Sequence, residues 1–341
     1  MTHSLDAQLC YLYTFPHGGT AVPQPPAPLQ KLKDAPYFKP VDMDVQLLEA
    51  TAVQIEGIQI LVQAYLYEQE IQLLECRLEL KNVLSSQTLQ LKERLQAGLV
   101  QTLVPTAVQE SGLYEEYVLL LIPSEKINMS QFVTDKAQLL ARFLRSQREV
   151  ISSSDVATTL ATRVHYSEKD VTILDWEGGV VIAVDADFQS EIEVIKIANT
   201  QLLRYRMIDQ RIDKKLETLR ADLAHRPRRS LLPSASRRTL QQILQERLTL
   251  LLDFERIDQE LLMIGDWYTA QLYRAAFDEL YMDEWKQTVK TKLESLESIL
   301  QVVQDNFSVS WSFFLDMVQL VGWLLLLLGY IVLFFLDLRL Y

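Results

Sequence analysis

From Met317 to Leu336 the chain reads MVQLVGWLLLLLGYIVLFFL, twenty residues without a charge, bounded by Asp316 and Asp337. At about 1.5 Å of rise per residue, this run spans roughly 30 Å as a helix, the hydrocarbon thickness of a bilayer. Only Asp337 to Tyr341 follow it. The expectation is a single C-terminal transmembrane helix, 317–336, with a short tail, 337–341, and everything before residue 316 on one side of the membrane. A proton or ion relay through the span is disfavoured, because it carries no charged side chain. Gly322 and Gly329 lie seven residues apart on one helix face. They either let two spans pack closely or face lipid.

The rest of the chain has the composition of a folded protein, 49% hydrophobic and 23% charged, which excludes wholesale disorder. Cys10 and Cys76 are the two cysteines, far apart and without ligand-like spacing, as in a reducing compartment. The first thirty residues lack the basic and apolar regions of a secretory signal. A cytoplasm-facing N-terminal domain is therefore expected. The net charge of −12 is uneven: twelve Lys/Arg oppose five acids between Arg204 and Arg247. That stretch is +7 and the remainder −19, which argues against nucleic-acid binding by the body of the protein.

Along the chain, residues 1–43 read as an apolar strand, Leu9 to Phe15, and a proline-rich arm holding seven of the eleven prolines. Residues 44–186 read as an α/β domain. Strands are expected at Ile58–Tyr67, Ile71–Leu80, Tyr117–Ile122, Thr159–Tyr166, Val171–Asp175 and Val180–Val184, with helices at 85–99 and 129–146. Gly178–Gly179 is placed in the turn of a hairpin. Strands interleaved with helices point to an α+β sandwich of ferredoxin-like type. From residue 188 the apolar period becomes three to four, as in Ile192, Ile195, Ala198, Leu202 and Tyr205. Prolines break the pattern at HRPRRSLLPSAS (225–236), a second helix runs to about Leu280, and Asp283 caps a third that is free to continue into the span. Residues 188–316 are thus expected to form a long antiparallel three-helix coiled-coil stalk. Helix direction then puts the basic turn at the membrane end.

In that turn Arg226, Arg228, Arg229, Arg237 and Arg238 flank Leu231 and Leu232. The pattern suits anionic lipid headgroups, each cation being worth about 1 kcal/mol near such a surface. A solvated hairpin tip, or contact with RNA or protein, are the alternatives. Asp209 and Arg247 intrude on the helical seams, as a register-setting pair or as residues at the wet edge. Four histidines share no metal-ligand spacing, and no HExxH, CxxC, GxSxG, GxGxxG or GxxxxGK[ST] occurs. Asp175, Glu177, Asp185 and Asp187 cluster about the hairpin and read as turn formers and surface charges. No catalytic residue, metal or cofactor is expected.

The segments EVIKIANTQLLRYRMIDQRIDKKL (193–216), GDWYTAQLYRAA (265–276) and EWKQTVKTKLESLESILQVVQD (284–305), followed by a terminal span, resemble uncharacterised bacterial membrane proteins distantly similar to the family required for meiotic nuclear division. The resemblance covers roughly 155–336 and leaves the first 40 residues unsupported. It implies an α/β domain followed by helices and a C-terminal membrane segment, a membrane-anchored scaffold linked in mitochondria to the translation machinery, and no active-site residues. CorA-like magnesium channels share that layout but need two spans and a Gly-Met-Asn motif, both missing from this sequence.

The expected protein is a single-pass scaffold or tether whose partners are membrane lipids, a second copy of itself as a homo-oligomer and an unidentified protein, with no nucleic acid. The competing class is an oligomeric channel or transporter of CorA-like layout.

Overall fold

The computed structural model describes residues 7–18, 45–123, 129–184, 186–225, 245, 248–255 and 267–340. In chain order the described elements are β1 (Ala7–Pro16), β2 (Val45–Leu47), β3 (Thr51–Ile55), β4 (Ile58–Tyr67), β5 (Ile71–Leu80), α1 (Ser86–Leu103), α2 (Thr106–Ser111) and β6 (Glu115–Pro123). Then come α3 (Met129–Leu144), α4 (Ser153–Thr159), β7 (Arg163–Val164), β8 (Val171–Asp175), β9 (Gly178–Ala183), α5 (Gln189–His225), α6 (Trp267–Glu279) and α7 (Met282–Leu340). Residues 248–255 are also helical. The chain divides into two compact units. The first holds residues 1–207 and 255–287, the second 208–254 and 288–341.

The first unit is built on one sheet in the order β2-β4-β5-β1-β6-β9-β8-β7, with β3 also pairing β4. All pairs are antiparallel except β6 with β9. This is a larger object than the ferredoxin-like βαββαβ sandwich expected, and its organising strand is β1. Ala7–Pro16 pairs β5 on one side and β6 on the other, so the strand read as part of an N-terminal arm is central to the sheet. The reason is visible in its side chains, since from Leu9 to Phe15 every residue is buried on both faces. Leu9, Tyr11 and Tyr13 join the core formed with α1, α3 and α4. The Tyr11 and Tyr13 hydroxyls donate to the Lys92 and Gln96 carbonyls of α1, at 3.1 and 3.3 Å. Strand alternation puts Cys10, Leu12 and Thr14 on the opposite face, beside Glu75 and Arg77 of β5. That face is covered by the first half of α5 and by α6.

Three local expectations change. The segment Thr159–Tyr166 is not one strand: Ser152 accepts from the Asp155 amide and caps α4, which consumes Thr159. Only Arg163–Val164 pair with β8, and Tyr166 is exposed. The β8–β9 turn is Trp176–Glu177, while Gly178 and Gly179 lie inside β9. A Cβ at Gly178 would sit 2.6 Å from the Val118 carbonyl oxygen, so the glycine is required by the close approach of β6. Finally, α5 belongs to the sheet unit as far as residue 207, beyond the boundary expected at 186.

In the second unit the buried residues Ile208 and Ile212, Leu250 and Phe254, and Val289, Leu293 and Leu296 recur at helical spacing. Lys292 of α7 bridges Asp209 and Asp213 of α5 at 2.6 and 2.7 Å, and Arg211 meets Asp253 at 3.5 Å. The third expected helix and the span are one element, since α7 runs unbroken from Met282 to Leu340.

Candidate functional site

Within α7, Leu315–Leu333 is one helical run of 19 residues with mean hydropathy 2.0 and no residue buried. Among the described residues it is the one helix long and apolar enough to cross a membrane. Gly322 and Gly329 have open space where a Cβ would stand. Asp209 is a partly buried seam residue whose ion-pair partner is Lys292, at 18% and 26% side-chain exposure. Arg247 lies outside the described residues, as do Arg226, Arg228, Arg229, Leu231, Leu232, Arg237, Arg238 and most of the proline-rich arm.

The carboxylates around the β8–β9 hairpin separate. Asp175 is buried, not a surface charge: it pairs with Arg145 at 2.8 Å. Burial raises its carboxyl above the usual range although Arg145 opposes this. Asp187 accepts from the Gln189 amide at 3.1 Å, beginning α5. Asp185 lies outside the described residues. Glu177 is exposed and lines a cleft.

That cleft, about 1110 Å³, opens where β6 begins and the β8–β9 hairpin turns. Its walls come from Lys92 and Glu93 of α1, Glu115 and Glu116 of β6, Trp176 and Glu177, Asn199 and Arg206 of α5, and Tyr281 and Trp285 at the α6–α7 joint. Trp176 and Tyr281 expose 52% and 57% of their surface. Tyr281 has φ 53°, a left-handed backbone uncommon for a bulky residue and characteristic of constrained sites. Arg206 pairs with Glu115 and also donates to the Tyr114 and Gly112 carbonyls. Burial raises the Glu115 carboxyl, with Arg206 opposing. The Glu177 carboxyl is also raised, by partial desolvation against the cleft wall, with Lys92 opposing and Asp175 and Glu116 adding repulsion.

Lys92 is 3% exposed. Its Nζ donates to the Phe143 carbonyl at 2.7 Å and to Ser146 Oγ at 2.9 Å, 4.4 Å from the Phe143 ring centre. Burial pushes its ammonium down to about 8 from 10.5, against the pull of Glu177, Glu93 and Glu116. The native amine thus gives up its proton more readily than the unfolded one. The penalty is fully present below about pH 8 and is relieved as pH rises towards 10.5. Over that window the wild-type chain should gain about 3 kcal/mol relative to Lys92→Met, read from urea unfolding of both proteins. Parallel pH profiles would show that the amine is solvated.

A second group of charges is buried behind the sheet. Lys196 of α5 is fully buried and pairs with Glu75, itself 3% exposed, and with Glu193 at 2.8 Å. Its Nζ lies 3.8 Å over the Tyr65 ring. Arg77 also pairs with Glu75 and donates to Gln189, which donates in turn to Glu193. In the sequence the only trace of this network is Glu75 and Arg77, two charges in a strand whose other residues are largely apolar.

A protein-family model for the N-terminal domain of an uncharacterised protein, MJ0711, matches residues 29–189. The uncharacterised protein MJ0711 of Methanocaldococcus jannaschii is 24% identical over 202 residues, 59% of this chain. The chain spans 61% of that relative's length. The similarity is therefore distant and to an uncharacterised family. No solved structure matches.

Proposed function

We propose that the chain is a single-pass, membrane-anchored scaffold or tether whose sheet domain presents binding surfaces on the cytoplasmic side. The observation that carries this is the exposed apolar run Leu315–Leu333, continuous with α7, which begins at Met282. In water the exposed apolar side chains of this run are strongly unfavourable; in a bilayer the same surface is matched to its solvent. The packed helical seam and its Lys292–Asp209 ion pair support a helical stalk. A basic turn at 225–238 in contact with anionic headgroups, a homo-oligomer packed through Gly322 and Gly329, and kinship with the meiotic-division family complete the proposal.

The competing channel reading requires several spans to line a polar pore, and this span has no polar stripe. Purified full-length protein reconstituted into dye-loaded liposomes should give no cation flux above protein-free vesicles. Flux that scales with protein and disappears on truncation of the span would overturn the scaffold in favour of the channel.

A further inference from the structure

We propose that the cleft between the start of β6, the β8–β9 turn, α1 and the α5 wall binds an extended basic peptide segment of a partner protein. The lining holds five carboxylates, Glu93, Glu115, Glu116, Glu177 and Glu279, against two cations, Lys92 and Arg206. Both cations are committed: Lys92 to the Phe143 carbonyl and Ser146, Arg206 to Glu115 and two carbonyls. Glu93 is paired with Arg148, and Glu279 accepts from the Thr162 hydroxyl. Glu116 near the start of β6 and Glu177 in the β8–β9 turn remain; both line the cleft, exposed, and neither side chain has a hydrogen bond or ion pair among the described residues. Beside them the exposed ring of Trp176 offers a face for a guanidinium or ammonium group.

A second, independent feature selects a peptide over a bare cation. Asn199 lines the cleft, is 1% exposed, and its Nδ2 has no hydrogen-bond partner among the described residues. A buried amide donor left unpaired costs free energy that a carbonyl acceptor recovers. A backbone carbonyl supplies one; a polyamine has none. The walls also come from helices on opposite faces of the sheet, α1 and α5, so an occupant that meets both must be extended around the sheet's end. The overall charge of −12 favours encounter with a basic partner.

The test is fluorescence anisotropy of a labelled arginine–alanine peptide with the full chain in zwitterionic detergent. Binding is expected, with none to the glutamine–alanine counterpart. Glu116→Gln/Glu177→Gln should weaken it at least about tenfold, two charge-assisted contacts being lost. Lys292→Gln, in the helical unit, should leave it unchanged. Asn199→Leu should weaken peptide binding while sparing any binding of spermidine. Undiminished affinity in the carboxylate variant, or spermidine displacing the peptide at equal concentration, overturns the proposal. The membrane proposal stands apart from it: insertion without peptide binding would sink only this inference, and binding without insertion only the other.

Discussion

Replacing Lys196 by methionine should destabilise the sheet domain by about 4 kcal/mol, because it leaves the buried Glu75 carboxylate short of a counter-charge. Burial alone would pull the Lys196 ammonium down; Glu193 and Glu75 outweigh it and hold the group above the ordinary lysine value. Burial alone would likewise raise Glu75, yet Lys196 and Arg77 keep it below the usual carboxylate value of 4.5. The signs give a pH window. The Glu75 contribution is complete above the unfolded carboxylate pKa and is lost as pH falls through the lower native one. The Lys196 contribution is complete below 10.5 and is lost as pH rises through the higher native value. Urea unfolding of the full chain in detergent at neutral pH measures the loss. The double variant Lys196→Met/Glu75→Leu should recover most of it, since an apolar pair of similar volume can replace a buried ion pair. A Lys196→Met protein within about 1 kcal/mol of wild type would mean that water reaches the network.

The second large effect is on partition into lipid. Leu324 and Leu328 are 60% and 56% exposed, one turn apart in the apolar run, so lysine at both leaves the folded units untouched. In a membrane each lysine near the helix centre costs about 3 kcal/mol, together roughly four orders of magnitude in partition. Wild-type protein should stay with the membrane pellet through alkaline carbonate extraction, and Leu324→Lys/Leu328→Lys should move to the supernatant. Extraction of the wild type by carbonate would reduce the run to a peripheral or protein-covered helix.

Much of the fold was legible because it is local. β4, β5 and β8 end where the apolar alternation ends, and their hairpin partners are neighbours in sequence. The helical period of 192–205 marks α5 as a helix, although burial there extends beyond the apolar positions to Lys196, Asn199, Thr200 and Gln201. α4 shows the limit of periodicity: Leu160, Thr162 and Val164 alternate as a strand should, but the serine-rich cap before them stabilises a helix through Thr159. The alternation of β1 was harder to place. Its apolar residues are consecutive, and its partners Leu73 and Leu119 lie roughly sixty and a hundred residues away.

The candidate site was less legible than the fold. In the sequence Glu177 is one of four acids around a hairpin, but its meaning depends on Glu116, Trp176 and Asn199, which no spacing connects. Asp209 reads as a seam residue from its position in the helical period, while its counter-charge, Lys292, arrives on another helix. By itself the sequence determined the apolar terminal helix, the order of strands before helices and the periods of both, since each follows from interactions within one segment. Only tertiary structure decided that β1 is central, that Gly178 is a contact and not a turn, that Lys196 is buried against Glu75, and that an acidic, aromatic cleft exists. Those are properties of segments distant in sequence, brought together when apolar faces leave water, and no local pattern records which distant partner each will meet.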